Sequence, residues 1–525
     1  MSAAASVITA EWRPRFNPWL IAIPVMLATF MVILDTSIVV VALPYIAGNL
    51  GATQDESTWV LTSYLVANAV ILPASAWLSS FFGRKRFLIV CTIVFTVASA
   101  TCGIAASMSM LVVARVLQGI GGGAMQPLSQ AILLESFPPT QRGPATALFG
   151  LGVVVAPIIG PTLGGWLTDA YSWRWTFYIN LPVGILAAAL MLIMIEDPPY
   201  IRASRPRRID AVGFAFMGLF LATLQVVLDK GQDADWFAAV WLRWLAVVSA
   251  VSLIAFIVRE FMIDHPIVDL RIFGNRNFAV SAVLFALFGL SVYALITLQP
   301  LFLQSLLGYP AFDAGLSVTP RGIGALAALL LVGALLPKVN PKLLVAIGFA
   351  LTALASFLLS RLTLQISMSS VVVANIVSGL GTSFIFVPLT TLAIGTLPNE
   401  QIGNATGLQN LVRNVGGSIG LSYVSTMLQR YAQVHQAHLV GQLSQLSPQY
   451  RAQLTLLQRL YEHGFTAPDA FLKARGMLYN LLLQQSEYWA FVDLFFVVAV
   501  LSAACLVLIP IFRRPVAVHH VSLGE

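Results

Sequence analysis

Apolar residues run along this chain in long stretches separated by short polar breaks. A helix that crosses a bilayer needs about 20 apolar residues. Fourteen stretches meet that length, roughly 18–46, 57–81, 86–106, 109–134, 144–168, 176–196, 210–228, 243–262, 278–306, 314–336, 342–362, 369–394, 404–428 and 488–512. Glycine and proline recur inside them, which lipid-embedded helices tolerate. The first block, Pro18 to Leu43, exceeds a signal-peptide core and precedes no small-residue cleavage site, so it is expected to be a retained span.

Composition supports this pattern. Of 525 residues, 58% are apolar and 10% charged, whereas a soluble domain carries about 25% charged residues. Basic residues gather in alternate loops and in the tails: Arg13 and Arg15, Arg84 to Arg86, Arg142, Arg202 to Arg208, Arg271, Arg276, Lys338, Lys342, Arg513 and Arg514. The opposite short loops hold only Arg174, Lys230, Arg243 and Arg361. By the positive-inside rule both termini are cytoplasmic. The net charge of +7 is thereby a signal of topology, not a nucleic-acid footprint.

Several chemistries are excluded. Cys91, Cys102 and Cys505 lie in apolar stretches at no metal-ligand spacing, and no histidine falls inside a predicted span. None of the lysines follows a glycine, so no Walker A loop is present. A membrane enzyme therefore has no visible machinery. Neither cofactor nor metal is expected, and energy must come from an ion gradient or a separate subunit.

One outer segment is long. Residues 429–487 separate the last two spans, and Leu454, Leu457, Leu460 and Tyr461 follow helical spacing, as do Leu478, Leu481 and Leu482. This predicts a small helical outer element with an apolar face. That face either packs on the neighbouring helices or docks a partner.

A shift of 260 residues aligns the chain with itself. Val113, Ala114, Gly119 and Gly121 fall on Val373, Ala374, Gly379 and Gly381; Pro138, Gln141, Gly143, Ala145, Thr146 and Leu148 fall on Pro398, Gln401, Gly403, Ala405, Thr406 and Leu408; Gly160 falls on Gly420. Spans one to six thus repeat as nine to fourteen in the same orientation, a parallel repeat about an axis along the membrane normal. Two six-helix bundles facing each other place a site at their interface, which rocking exposes to each side in turn.

Charge inside the spans is costly, at least ~2.5–3.5 kcal/mol per carboxylate on insertion scales. Asp35 and Asp493 are the acidic residues within spans, with Asp229 and Glu260 at span ends. Burial disfavours an ionised carboxylate and a nearby cation restores it, so Asp35 at the meeting of two bundles can take up a proton on one side and release it on the other. The alternative is a permanently protonated Asp35 bonded to a backbone carbonyl. One charge crossing 100 mV is worth about 2.3 kcal/mol, which supports roughly a fifty-fold gradient of neutral cargo. Asp493, near the outer end of its span, reads as an interfacial carboxylate reaching water. Arg115, Arg321 and Arg413 are also embedded. Arginine stays protonated in proteins, so each is a counter-charge, an anion holder or a snorkelling side chain. Arg115 lies at a depth similar to Asp35.

These residues also resemble a known family. Leu34-Asp35-Thr36-Ser37-Ile38-Val39-Val40-Val41-Ala42-Leu43-Pro44 is similar to the first-helix signature of the fourteen-helix drug:proton antiporters of the major facilitator superfamily. Leu111, Arg115, Gln118, Gly119, Gly121, Gly122 and Gly123 resemble its fourth-helix motif. Pro157, Gly160, Pro161, Gly164 and Gly165 resemble the antiporter motif of its fifth helix. Trp173 to Pro182 and Arg413 to Gly420 are further family-like runs, and the long loop at 429–487 is similar in place and size to that of the EmrB branch. The loop after span two departs from the pattern: Gly83, Arg84 and Lys85 stand as expected of its gating loop, but Ser80 replaces the usual acidic residue, so a weaker hydroxyl cap is expected there.

The resemblance implies a major facilitator fold, an all-α polytopic membrane protein of two six-helix bundles plus two extra central helices. It divides the chain into a cytoplasmic tail (1–17), an N-terminal bundle (18–196), a linker with the extra spans (197–277), a C-terminal bundle (278–512) and a second tail (513–525). It implies that Asp35 couples protons with help from Arg115, and that Gly160-Pro161 and Gly164-Gly165 let helices approach and bend. The expected activity is proton-driven export of amphipathic compounds across a bacterial inner membrane. The chain would serve as pump subunit with an EmrA-like periplasmic membrane-fusion adaptor and an outer-membrane channel, or as a stand-alone exporter. Tyr64, Asn68, Gln126, Tyr293, Gln299, Asn375 and Phe386, on facing spans, are candidate cavity residues of a mixed apolar, aromatic and amide character suited to such cargo.

Overall fold

A computed structural model describes residues 14–138, 141–197, 210–263, 266–309, 311–364, 368–398, 401–441 and 447–513. Most of both tails and the basic cluster from Arg202 to Arg208 lie outside the described residues, within which no strand occurs.

Local sequence sets the helix ends. Helix α1 (Pro18–Leu50) starts where the Asn17 side chain accepts from the Trp19 amide at 3.0 Å with Pro18 at the first position, and stops at Gly51, whose φ of +63° only glycine adopts easily. Helix α2 (Gln54–Phe82) opens with a reciprocal Thr53/Glu56 capping box. Helices α3 (Arg84–Gly103), α4 (Met108–Ser136) and α5 (Arg142–Ala170) follow. The sixth span is broken into α6 (Trp175–Tyr178) and α7 (Asn180–Met194). Helices α8 (Ala211–Lys230) and α9 (Val240–Met262) form the inserted pair.

The second half comprises α10 (Arg276–Ser305), α11 (Ala311–Val318), α12 (Pro320–Leu335), α13 (Pro341–Ser360), α14 (Met368–Ile394), α15 (Ile402–Val440), α16 (Pro448–Glu462) and α17 (Ala467–Ala504). Among the described residues thirteen helical segments are long and apolar enough to cross a membrane. The remaining span expected at 404–428 lies in α15. Asn404, Gln409, Asn410, Arg413 and Asn414 make it polar, and packing against α10 and α17 shields it.

Packing repeats as the sequence does. The pairs α1–α5, α2–α4 and α3–α4 recur as α10–α15, α12–α14 and α13–α14. Matched glycines make the crossings. Gly160 lies against Ser37 of α1, and Gly420 against Leu290 of α10; Gly119 lies on the α2 backbone at Tyr64, and Gly379 on the α12 backbone at Arg321. Absence of a side chain lets the backbones meet. The halves also exchange contacts symmetrically: α5 leans on α12 and α14, and its counterpart α15 leans on α2 and α4. The largest apolar cluster, with Phe95, Met125, Phe149, Phe285, Phe349 and Phe386, spans both halves.

Two features differ from expectation. The outer segment is not a separate small element. It is the continuation of α15 to Val440 and the early start of α17 at Ala467, with α16 packed on α17. These extensions are polar enough to fall outside an apolar count. Leu478 and Leu482 are buried there, while Leu456, Leu460, Leu472 and Leu481 are exposed. Asp493, read as a carboxylate reaching water, is partly exposed but also pairs with His435 Nε2 at 2.7 Å.

The inserted helix α8 touches both halves. Thr62 of α2 donates to Asp229, and Lys230 Nζ donates to Thr58 Oγ1 at 2.6 Å. On the other side Ser418 of α15 donates to Gln225 Oε1 at 3.0 Å, and Trp236 Nε1, just beyond α8, donates to Thr426 Oγ1 at 3.0 Å.

Candidate functional site

The α4 positions 115 and 118 are one turn apart and share a face, which α4 turns toward α1. Arg115 Nη1 donates to Asp35 Oδ2 at 2.6 Å and to Gln118 Oε1 at 2.8 Å, and Arg115 Nε donates to the Val60 carbonyl at 2.9 Å. Asp35 Oδ1 accepts from Gln118 Nε2 at 2.9 Å and from Asn180 Nδ2 at 2.8 Å. Asn180 also donates to Ser99 Oγ at 3.0 Å. The Tyr64 ring lies 4.3 Å from the guanidinium carbon, within cation–π range. Asp35, Arg115 and Gln118 have no exposure at all.

A buried pair is stable only when the remaining lone pairs and protons are also satisfied. Here the carboxylate accepts three hydrogen bonds, and the guanidinium keeps one nitrogen, Nη2, without a partner among the described residues. The arrangement holds one negative and one positive charge in a fixed, dry cluster.

The sequence places Asp35 where the two bundles meet. The structure places it inside the N-terminal half, between α1, α4 and α7, with the Tyr64 ring beside its Arg115 partner. Position along a span gives depth but not the direction of the side chain. Gln118 and Asn180 were not singled out as site residues. Gln118 carries a signal, its one-turn spacing from Arg115. Asn180 is placed by the break between α6 and α7, which no spacing announces.

The fifth-helix motif lies against this site. Gly160 fits over Ser37 and Gly164 over Ile38, within one turn of Asp35, while Pro157 and Pro161 stand half-buried inside α5 and Gly165 looks toward Val41 at 3.9 Å. The Gly83-Arg84-Lys85 turn is built differently from expectation. Ser80 donates to its own helix at the Trp77 carbonyl, 2.7 Å away, so its hydroxyl does not cap the next helix. Asp197 does so instead, accepting from the Lys85 amide at 2.7 Å, while Gly83 turns the chain at φ +89° and Arg84 pairs with Glu135.

The candidate cavity residues divide. Asn68 donates to the Tyr64 hydroxyl at 3.4 Å, Tyr293 is 41% exposed, and Phe386 touches α5 at Gly150. These four gather along the seam. Asn375 donates to the Ser317 carbonyl at 3.0 Å within the C-terminal half, Gln299 is buried on α10 of the same half, and Gln126 is buried on α4 of the N-terminal half. Sequence reading missed the bond across the seam from Asn410 Nδ2 to Gln130 Oε1, 2.8 Å.

Comparison with known proteins agrees with this architecture. Residues 25–421 match the family model described as Major Facilitator Superfamily. The multidrug export protein EmrB of Escherichia coli K12 is 38% identical over 86% of this chain and 87% of its own. The fatty acid resistance protein FarB of Neisseria gonorrhoeae is 38% identical over 80% and 83%, and the colistin resistance protein EmrB of Acinetobacter baumannii 30% over 93% and 97%. The human organic anion transporter MFSD10 has a similar structure, with a TM-score of 0.56 at 12% identity over 93% of this chain and 100% of that one, a likeness of fold alone. The chain is a multi-pass membrane transporter that belongs to the Major Facilitator Superfamily, among its EmrB-type multidrug exporters.

Proposed function

We propose that this protein is a proton-coupled antiporter that exports amphipathic small molecules by alternating access, with Asp35 as the proton carrier and Arg115 as its counter-charge. The observation that carries this reading is the sealed Asp35–Arg115–Gln118–Asn180 cluster, buried where α1, α4 and α7 meet in the N-terminal half. Adding a proton to Asp35 cancels the charge that holds Arg115 and frees the guanidinium, a change felt by Tyr64 and through it by Tyr293. The antiporter motif transmits it, because α5 is locked to α1 beside Asp35 and also leans on α12 and α14 of the other half. Amphipathic cargo fits the seam lined by Tyr64, Asn68, Tyr293 and Phe386, and multidrug export is the named activity of a relative.

The basic loops orient both termini to the cytoplasm of a bacterial inner membrane, which puts α16 and the extensions of α15 and α17 in the periplasm. Their exposed leucines support a docking surface for a periplasmic adaptor leading to an outer-membrane channel.

In proteoliposomes with an imposed proton gradient, Asp35→Asn is expected to lower export more than 100-fold, on the order of 3 kcal/mol, while the purified protein keeps its helix content. Gradient-driven export that survives in this variant removes Asp35 from the mechanism. Deletion of 440–480 is expected to abolish adaptor co-purification and to spare transport in vesicles; retained adaptor binding means that this segment packs on the protein itself and does not dock the adaptor.

A further inference from the structure

The C-terminal half holds two buried guanidinium groups that no carboxylate compensates among the described residues. Arg321 and Arg413 are 4% and 7% exposed, and neither forms an ion pair among the described residues. Arg321 spends Nε and Nη2 on the neutral Ser378 Oγ at 3.1 and 2.7 Å, leaving Nη1 without a partner. Arg413 makes one long bond, from Nη2 to Asn414 Oδ1 at 3.4 Å. An acid can shed its charge when buried, but arginine cannot. A dry guanidinium therefore calls for an anion from elsewhere.

Arg413 is placed to receive one. Its backbone carbonyl lies over Gly289, where a side chain would collide with it, and its guanidinium stands 5.9 Å from the Phe386 ring. Phe386 in turn packs edge-on to Phe285 and reaches Gly150 of the N-terminal half, so this cation borders the seam. Tyr293, the exposed ring of that seam, lies against Gly417, one turn further along α15. The fixed fork of a guanidinium matches a carboxylate, and the aromatic rings beside it offer a surface to an apolar tail. Arg115 does not compete, since it is already ion-paired with Asp35 and has no exposure.

We infer that Arg413 is the cargo-recognition residue and that it selects amphiphiles with a carboxylate head, Arg321 adding to the positive field from behind. This rests on the exporter reading above and deepens it. The compounds cited in the relatives' names differ, so the charge of the cargo is decided by this chain's own residues.

Equilibrium binding of octanoate, octanamide and octylamine to the purified full-length protein tests the inference without reliance on proton coupling. Octanoate is expected to bind best, and Arg413→Gln to weaken it about tenfold or more while changing octanamide less than about twofold. Arg413→Lys, which keeps the charge, is expected to retain part of the octanoate preference. Equal losses for octanoate and octanamide, no loss for either, or a wild-type preference for octylamine overturns the inference. Gradient-driven transport of the same probes decides the antiport reading separately: binding selectivity without gradient response refutes antiport and leaves Arg413 in its role.

Discussion

The two halves of this protein share one scaffold and differ in how they treat buried charge. Shifted by 260 residues, Asp35, Arg115 and Gln118 of the first half fall on Leu295, Asn375 and Ser378 of the second. The first half keeps an acid and a base locked to each other. The second has lost the acid from that place and carries its cations elsewhere, on α12 and α15. Duplication fixed the helix crossings, which depend on glycines present in both copies; the polar residues between them were free to diverge. One half pairs its buried charges within itself; the other leaves two buried cations without a counter-charge among the described residues.

This contrast has opposite consequences for substitution. Arg115→Met leaves Asp35 buried without its cation and is expected to lower stability by about 3–5 kcal/mol, read as a fall in melting temperature in detergent. The double variant Asp35→Asn with Arg115→Met should recover most of that loss; a double variant as unstable as the single one means that Arg115 matters for packing alone. Arg321→Met removes a cation with no counter-charge among the described residues, so stability is expected to stay level or rise by up to about 1 kcal/mol, read as a melting temperature that does not fall. A fall like that of Arg115→Met would erase the distinction between the halves. The smallest effect belongs to the seam: Asn410→Ala removes the bond to Gln130 and should cost about 1 kcal/mol, visible as a modest loss in melting temperature with the cluster at Asp35 intact.

Much of the scaffold was legible in the sequence because lipid demands long apolar runs and because a duplicated crossing needs its glycines twice. The α15 span could be found through the repeat where hydropathy alone is weak, since Gly403, Ala405, Thr406 and Leu408 match the start of α5. Its continuation to Val440 was hidden, because Gln429, Arg430, Gln433 and His435 carry no apolar signal. The pairing of Asp35 with Arg115 followed from equal depth. Its placement behind Tyr64 did not, because the direction of a side chain depends on helix rotation, which packing sets. The substitution at Ser80 was visible as a gap, yet its remedy, Asp197, comes from the far end of the bundle after the last helix of that half. Only the folded chain brings those ends together.

The inserted helix α8 carries a consequence for movement. It is fastened to α2 through charged groups, Asp229 with Thr62 and Lys230 with Thr58, and to α15 through neutral ones, Gln225 with Ser418 and Trp236 with Thr426. Hydrogen bonds to charged groups are roughly twice as strong as neutral ones, and α8 also has the broader contact with α2. A separation of the two halves along α8 would part the neutral stitches first, so the inserted pair would stay with the first half.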